Sequence, residues 1–252
     1  MTRFTFRRFA LGMIAVPLAL GLAACGKSGE NGEKLSGDPI ETIAPPEGES
    51  WTDVVSKTEE GGYQMGNPDA PIKLVEYGAL SCSHCADFSE EASAEITENF
   101  VASGRVSYEL RHFILNPYDI AATLLATCGT TEAVIPLSEQ FWAWQPAMFE
   151  HVQNAAPEQM RLAENQPPEQ RFVTLASISG MDEFFASRGI AADQAAACLA
   201  DSNKATELVT RTQKASEEHD ITGTPTFLIN GQKQDINKWS EVKAKLETLG
   251  AR

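Results

Sequence analysis

The stretch Cys82-Ser83-His84-Cys85 constrains this chain more than any other, because two thiols three positions apart can close a disulfide within one helical turn. Upstream, Ile72-Lys73-Leu74-Val75-Glu76-Tyr77 reads as a short buried strand, and Gly78 marks the turn that follows it. Downstream, Phe88, Ala92, Ile96 and Phe100 recur every four residues, which places them on one face of an amphipathic helix. The pair is therefore expected at a strand-to-helix junction. Cys82 falls near the helix N-terminus, and Cys85 lies deeper, on the inward face.

That position suits redox chemistry. A thiolate attacks a disulfide where a thiol does not, and the unpaired N–H groups of a first helical turn favour the anion. His84 adds a hydrogen-bond donor, and a positive charge when protonated. Cys82 is the expected nucleophile and Cys85 the resolving thiol. Glu76 lies on the strand six residues before Cys82, where a charge interrupts an apolar run. It is expected to carry protons to and from Cys85; the alternative is a water-facing glutamate on an edge strand.

A second segment, Thr222-Gly223-Thr224-Pro225-Thr226-Phe227-Leu228-Ile229-Asn230-Gly231, combines a proline turn, a strand and an Asn-Gly hairpin signal. Together with Gly66-Asn67-Pro68-Asp69-Ala70-Pro71, Glu76-Tyr77 and the cysteine motif, it resembles the DsbA family of thiol-disulfide oxidoreductases in the thioredoxin superfamily. The resemblance covers about residues 63 to 250. It implies an α/β thioredoxin fold with an inserted α-helical subdomain, no cofactor, and a cis Pro225 beside the disulfide. It also implies that Thr224 touches the sulfurs and that Thr224 and Pro225 meet the substrate. The chain departs from the strongest oxidases of the family in carrying Ser-His between the cysteines, where they carry Pro-His. Thr224 also resembles the isomerase and reductase branches.

The N-terminus resembles a lipoprotein signal. Arg3, Arg7 and Arg8 precede an apolar run from Phe9 to Leu22, too short for a bilayer span of about 20 residues. Leu22-Ala23-Ala24-Cys25 resembles a lipobox, which implies cleavage after residue 24 and lipid on Cys25. Residues 25–62, rich in Gly, Ser, Pro and Glu, read as a flexible tether that would reach about 33 Å. The expected location is the periplasm or cell envelope, on a membrane through the lipid. Gly26 in place of an aspartate leans toward the outer one.

Removing the first 24 residues takes the formal charge from −15 to −18, which leaves no basic stripe for nucleic acid. The expected organisation is a first thioredoxin half at 63–115, a helical insert at 116–218 and a second half at 219–252. Within the insert, Ile120, Leu124 and Leu125, then Phe141, Trp144 and Met148, then Phe172, Leu175 and Ile178 recur at helical spacing. Phe141, Trp142 and Trp144 are read as helix-packing core, with the lining of a peptide groove as the alternative. Cys128 and Cys198 both lie in the insert and are read as a structural disulfide, with two reduced cysteines or a second redox pair as alternatives. His112 could approach the active site; His151 and His219 read as packing or surface residues.

Three functions compete. The favoured one is a monomeric envelope oxidoreductase that exchanges the Cys82–Cys85 disulfide with secreted cysteine-containing proteins. As an oxidase it requires a quinone-linked membrane partner, and as a reductase an electron-donating one. The second reading has Cys82, His84 and Cys85 binding Cu(I) or Zn(II), without a fourth ligand nearby. The third is a chaperone-like module that uses the fold without the chemistry.

Overall fold

The computed structural model describes residues 37–252. The signal segment and Cys25 lie outside the described residues. Among the described residues, six strands form one mixed sheet in the order β1-β2-β4-β3-β5-β6. They are β1 (Val55–Lys57), β2 (Tyr63–Met65), β3 (Ile72–Gly78), β4 (Val106–His112), β5 (Thr226–Ile229) and β6 (Gln232–Gln234). β3 and β4 run parallel, from Ile72↔Val106 to Gly78↔His112, while β5 pairs antiparallel with β3 through Leu74↔Ile229. β3 is thus interior and buried on both faces, which is why its sequence is an apolar run and not an alternation. Glu76 is on this interior strand, not on an edge.

Alternation along β3 sends neighbouring side chains to opposite layers. Helix α1 (Ser83–Glu95), which continues into a π-helical turn at Ile96–Val101, packs on one face with the C-terminal helix Trp239–Thr248. Phe88 stacks on Phe227 of β5 at 4.6 Å and meets Trp239 edge-on at 6.1 Å. The repeat Phe88, Ala92, Ile96 and Phe100 is buried throughout. On the other face Val75, Tyr77 and Leu228 pack with Ala215 of the helix Ser202–His219 and with Phe113 and Ile221. The β5–β6 turn is Asn230-Gly231 with φ of 50° and 78°, the left-handed pair that a two-residue hairpin requires. The Asn230 side chain accepts from Lys73 N at 2.8 Å, fixing that turn to β3.

Between the halves of the sheet run α2 (Pro117–Ala126), α3 (Val134–Asn154), α4 (Pro157–Asn165), α5 (Pro168–Ile178), α6 (Met181–Ala186), α7 (Ala192–Leu199) and α8 (Ser202–His219); α9 is Trp239–Thr248. Phe141 and Trp142 are buried, and Phe141 stacks with Phe185 at 5.6 Å, so the aromatic cluster serves packing. A disulfide joins Cys128 to Cys198, tying the end of α2 to α7 across 70 positions of sequence.

The tether reading is corrected over its described part. Gly37 N donates to Thr248 O, Ile40 N to Gly250 O and Ile43 N to Ser103 O, each at 2.9 Å. Trp51 is buried, with its indole Nε1 donating to Ile43 O at 2.7 Å, and β1 extends the sheet beyond β2. Average composition misses this attachment, because one tryptophan and a few backbone hydrogen bonds anchor a segment too polar to form a core of its own. Trp51→Ala should lower stability to urea by roughly 3 kcal/mol, the usual scale for emptying a buried tryptophan site, whereas a free tether would give no change. Replacing both Cys128 and Cys198 by Ser should cost roughly 4 kcal/mol in the same assay, from the loop entropy returned to the unfolded chain.

Candidate active site

The site is assembled where β3 ends and α1 begins. Cys82 is the N-cap of α1, and its sulfur accepts from Cys85 N at 3.2 Å. When protonated, its thiol donates to Thr224 O at 3.3 Å, and the peptide bond from Thr224 to Pro225 is cis. Cys82 retains 8% of its surface, while Cys85 has none. Both are free thiols.

Electrostatics separates the two sulfurs. A hydrogen bond from the Cys85 thiol is the chief influence pulling Cys82 down to about 6, against burial. The nearby Thr224 side chain, whose buried hydroxyl makes no hydrogen bond, and the N–H groups of Cys85 and His84 add to the lowering. Burial pushes Cys85 far up, reinforced by the hydrogen bond it gives Cys82 and by the charges of Glu76 and Cys82. At neutral pH the pair therefore holds one thiolate, on the outer sulfur, and one buried thiol.

Glu76 is 1% exposed. Its Oε2 accepts from the Tyr108 hydroxyl at 2.8 Å, and its Oε1 has no hydrogen-bond partner. Burial raises it to about 8, against the Tyr108 hydrogen bond and with help from the charges of Glu139 and Cys82. A carboxyl that titrates near neutrality beside a buried thiol can hold or release one proton where water does not reach.

His84 stands differently from its expected role. Its side chain is 82% exposed, with Nδ1 3.7 Å from Asp87 Oδ2, and its contribution to Cys82 comes through the backbone N–H. The imidazole is thus displayed to whatever approaches Cys82. His112 is half-buried beside Ser138, with 3.0 Å between Nε2 and Oγ, and makes no hydrogen bond to either sulfur. His151 packs near Trp144, and His219 lies 6.1 Å from the Tyr77 ring. Among the described residues, no group of three His, Cys, Asp or Glu side chains is placed to hold a metal ion.

Three residues fasten the loop before Cys82, a role not expected of any of them from the sequence. Asp119, fully buried, accepts from Ser81 N at 2.7 Å and from Ser81 Oγ at 3.1 Å. Trp142 Nε1 donates to Ala79 O at 2.9 Å, and Gln145 Nε2 to Leu80 O at 2.7 Å. The helical insert thereby pins each residue of the Ala79–Ser81 loop. Asn116-Pro117-Tyr118-Asp119 forms a capping box, and that local pattern could have marked Asp119. Nothing local marks Trp142 or Gln145, since their partners lie more than sixty positions away.

A cysteine pair at the N-terminus of the first helix, a proline loop against the outer sulfur and a four-strand core in the order β4-β3-β5-β6 define a thioredoxin fold, here with an inserted helical subdomain. Residues 58–248 match the thioredoxin family, and the chain belongs to it. It is 23% identical over 194 residues to a Rickettsia bellii protein provisionally named a protein-disulfide oxidoreductase, covering 77% of this chain and 66% of that one. A similar Rickettsia conorii protein is 22% identical, and the match spans 56% of its length. The chain thus spans about two thirds or less of these curated relatives. Among solved structures, a protein-disulfide isomerase from Novosphingobium aromaticivorans superposes with a TM-score of 0.68 at 26% identity, covering 73% of this chain and 96% of its own. The alpha-DsbA1 of Wolbachia pipientis shares the fold, with a TM-score of 0.60 at 20% identity and coverage of 75% and 90%.

Two titrations check the charge assignment. Thiolate absorbance of the reduced protein should rise with a midpoint near 6, and Cys82→Ser should abolish that step. The depressed Cys82 stabilises the reduced fold fully above about pH 9, an effect lost as pH falls through about 6. Glu76 acts in the opposite sense: its raised pKa makes the fold lose stability as pH rises from about 4.5 to about 8. Glu76→Gln should remove that component, whose slope is at most about 1.4 kcal/mol per pH unit, in urea unfolding followed across this range.

Proposed function

We propose that this protein is a thiol-disulfide oxidoreductase of the cell envelope that passes the Cys82–Cys85 disulfide to cysteine-containing secreted proteins, working as an oxidase. A client thiolate attacks Cys82 Sγ and breaks the Cys82–Cys85 bond. Cys85 leaves as a thiolate and takes the proton that Glu76 supplies. A second client thiolate then attacks the client sulfur of the mixed disulfide, releasing Cys82 as a thiolate. The client loses two electrons and the cysteine pair gains them.

The observation that carries this reading is the lowered Cys82 beside a raised Cys85. A stable thiolate is a good leaving group, and it favours the reduced pair, which makes the disulfide an oxidant. Thr224 and Pro225 would guide an extended client strand to Cys82, with His84 displayed at the point of approach. The names of the Rickettsia and Novosphingobium proteins support disulfide chemistry.

Residues 1–24 would direct export and Cys25 would take the lipid, placing a monomeric domain on the periplasmic side of a membrane. Reoxidation then calls for a quinone-linked membrane partner. The second reading is an envelope reductase or isomerase, drawing on an electron-donating partner. It is favoured by Thr224 before the proline and by the isomerase name of the Novosphingobium structure.

The reduction potential of the Cys82–Cys85 pair separates the two directions. A value of about −120 to −180 mV is expected, and one near roughly −270 mV would overturn the oxidase direction. Cys82→Ala should lose all exchange activity, whereas a binding module would retain its client affinity.

A further inference from the structure

A second cavity, of about 170 Å³, takes no part in the thiol chemistry. It lies among the β1–β2 hairpin, the end of β4, α2 and α8, with Tyr63 and Phe113 supplying aromatic wall. Thr123 lines it from α2 at 1% exposure, and its buried hydroxyl has no hydrogen-bond partner. An orphaned hydroxyl in a roomy cavity is a donor waiting for an acceptor, since burying it alone costs about 1–3 kcal/mol.

The charges around this cavity do not cancel locally. Glu207 pairs with Arg211, Arg111 is held by Glu109 at 2.7 Å with the exposed Glu60 at 3.7 Å, and Glu218 lies 3.7 Å from Lys214. Glu59 stands on the exposed rim. Lys57, exposed on the same rim, and the half-buried Lys204 also line the cavity, and among the described residues neither has a carboxylate within 4.0 Å. Lys204 Nζ donates to Thr127 O at 3.2 Å, which holds it in place without neutralising it. Burial first, then the charge of Lys57, pulls Lys204 below the ordinary lysine range, with Arg211 adding to this and the charges of Asp201 and Glu207 opposing it, so the two ammonium groups feel each other. Burial, with Lys204 adding to it, lowers His112 in the same cavity to about 4, so its ring is neutral at pH 7 and adds no charge.

We propose that this cavity is a binding site for a small organic carboxylate. The anion is met by Lys57 and Lys204, accepts a hydrogen bond from the Thr123 hydroxyl, and rests its apolar body on Tyr63 and Phe113. A carboxylate relieves the lysine repulsion and satisfies the orphaned donor together. A neutral molecule of the same shape satisfies only the second.

The test is a titration of the full chain with benzoate, with benzamide as its neutral counterpart, followed by the backbone amide and His112 ring resonances. The expected result is saturable shifts at Thr123 and Thr127 with benzoate, at least about tenfold weaker affinity for benzamide, and a rise in the His112 titration midpoint when benzoate is bound. Lys204→Met should weaken benzoate by about tenfold and Lys204→Arg should restore it, which separates lost charge from lost folding. Shifts that fail to saturate, equal binding of benzamide, an unmoved His112, or unchanged affinity in Lys204→Met would each overturn the proposal.

Discussion

The backbone N–H of Cys85 points at the sulfur of Cys82, and the site depends on that hydrogen bond. It caps α1 with the reacting atom itself, so the start of the helix and the position of the nucleophile are one structural fact. A serine cap would satisfy the same N–H. Sulfur uses the cap to hold a negative charge at a place where the helix favours one. Because β3 is interior and α1 packs along the sheet through Phe88, the capped sulfur is fixed relative to β5 and to the Thr224–Pro225 loop beside it.

Keeping that geometry falls largely to the insert. The Ala79–Ser81 loop has little regular structure of its own, and three side chains from α2 and α3 take up its polar groups. The helical subdomain is therefore part of the active-site scaffold as well as a cover over the sheet. Its own core is aromatic, with Phe141, Phe184 and Phe185 in mutual contact, and a disulfide closes it at the far end. Helix α3 joins that core to the loop before Cys82 through Trp142 and Gln145.

The two sulfurs differ because one is at the cap and the other a turn deeper. Depth removes water from Cys85 and Glu76 alike, and in a dry environment neither carries charge readily. Burial raises Glu76 to about 8 while the single hydrogen bond it accepts from Tyr108 works against that rise, so its proton is held more tightly than on an exposed carboxyl and exchanges near neutral pH. An exposed carboxylate in its place would stay ionised and hold no proton to give.

Much of this was legible in the residues. The strand at 72–77, which the fold extends by Gly78, the helix face of Phe88, Ala92, Ile96 and Phe100, the place of Cys82 near a helix N-terminus, and the Asn230-Gly231 turn all follow from local spacing and turn chemistry. Such signals are contained within a few residues, where backbone geometry is decided by near neighbours. The sequence by itself therefore determined the elements, the cysteine pair and its place at a helix start. Tertiary structure alone decided that Glu76 is interior, that the His84 ring faces solvent, that Trp51 anchors a polar segment, and that Trp142 and Gln145 hold the loop before the nucleophile. Each of these rests on burial or on a partner distant in sequence. Desolvation and long-range hydrogen bonding depend on what surrounds a group, and only the assembled fold supplies those surroundings.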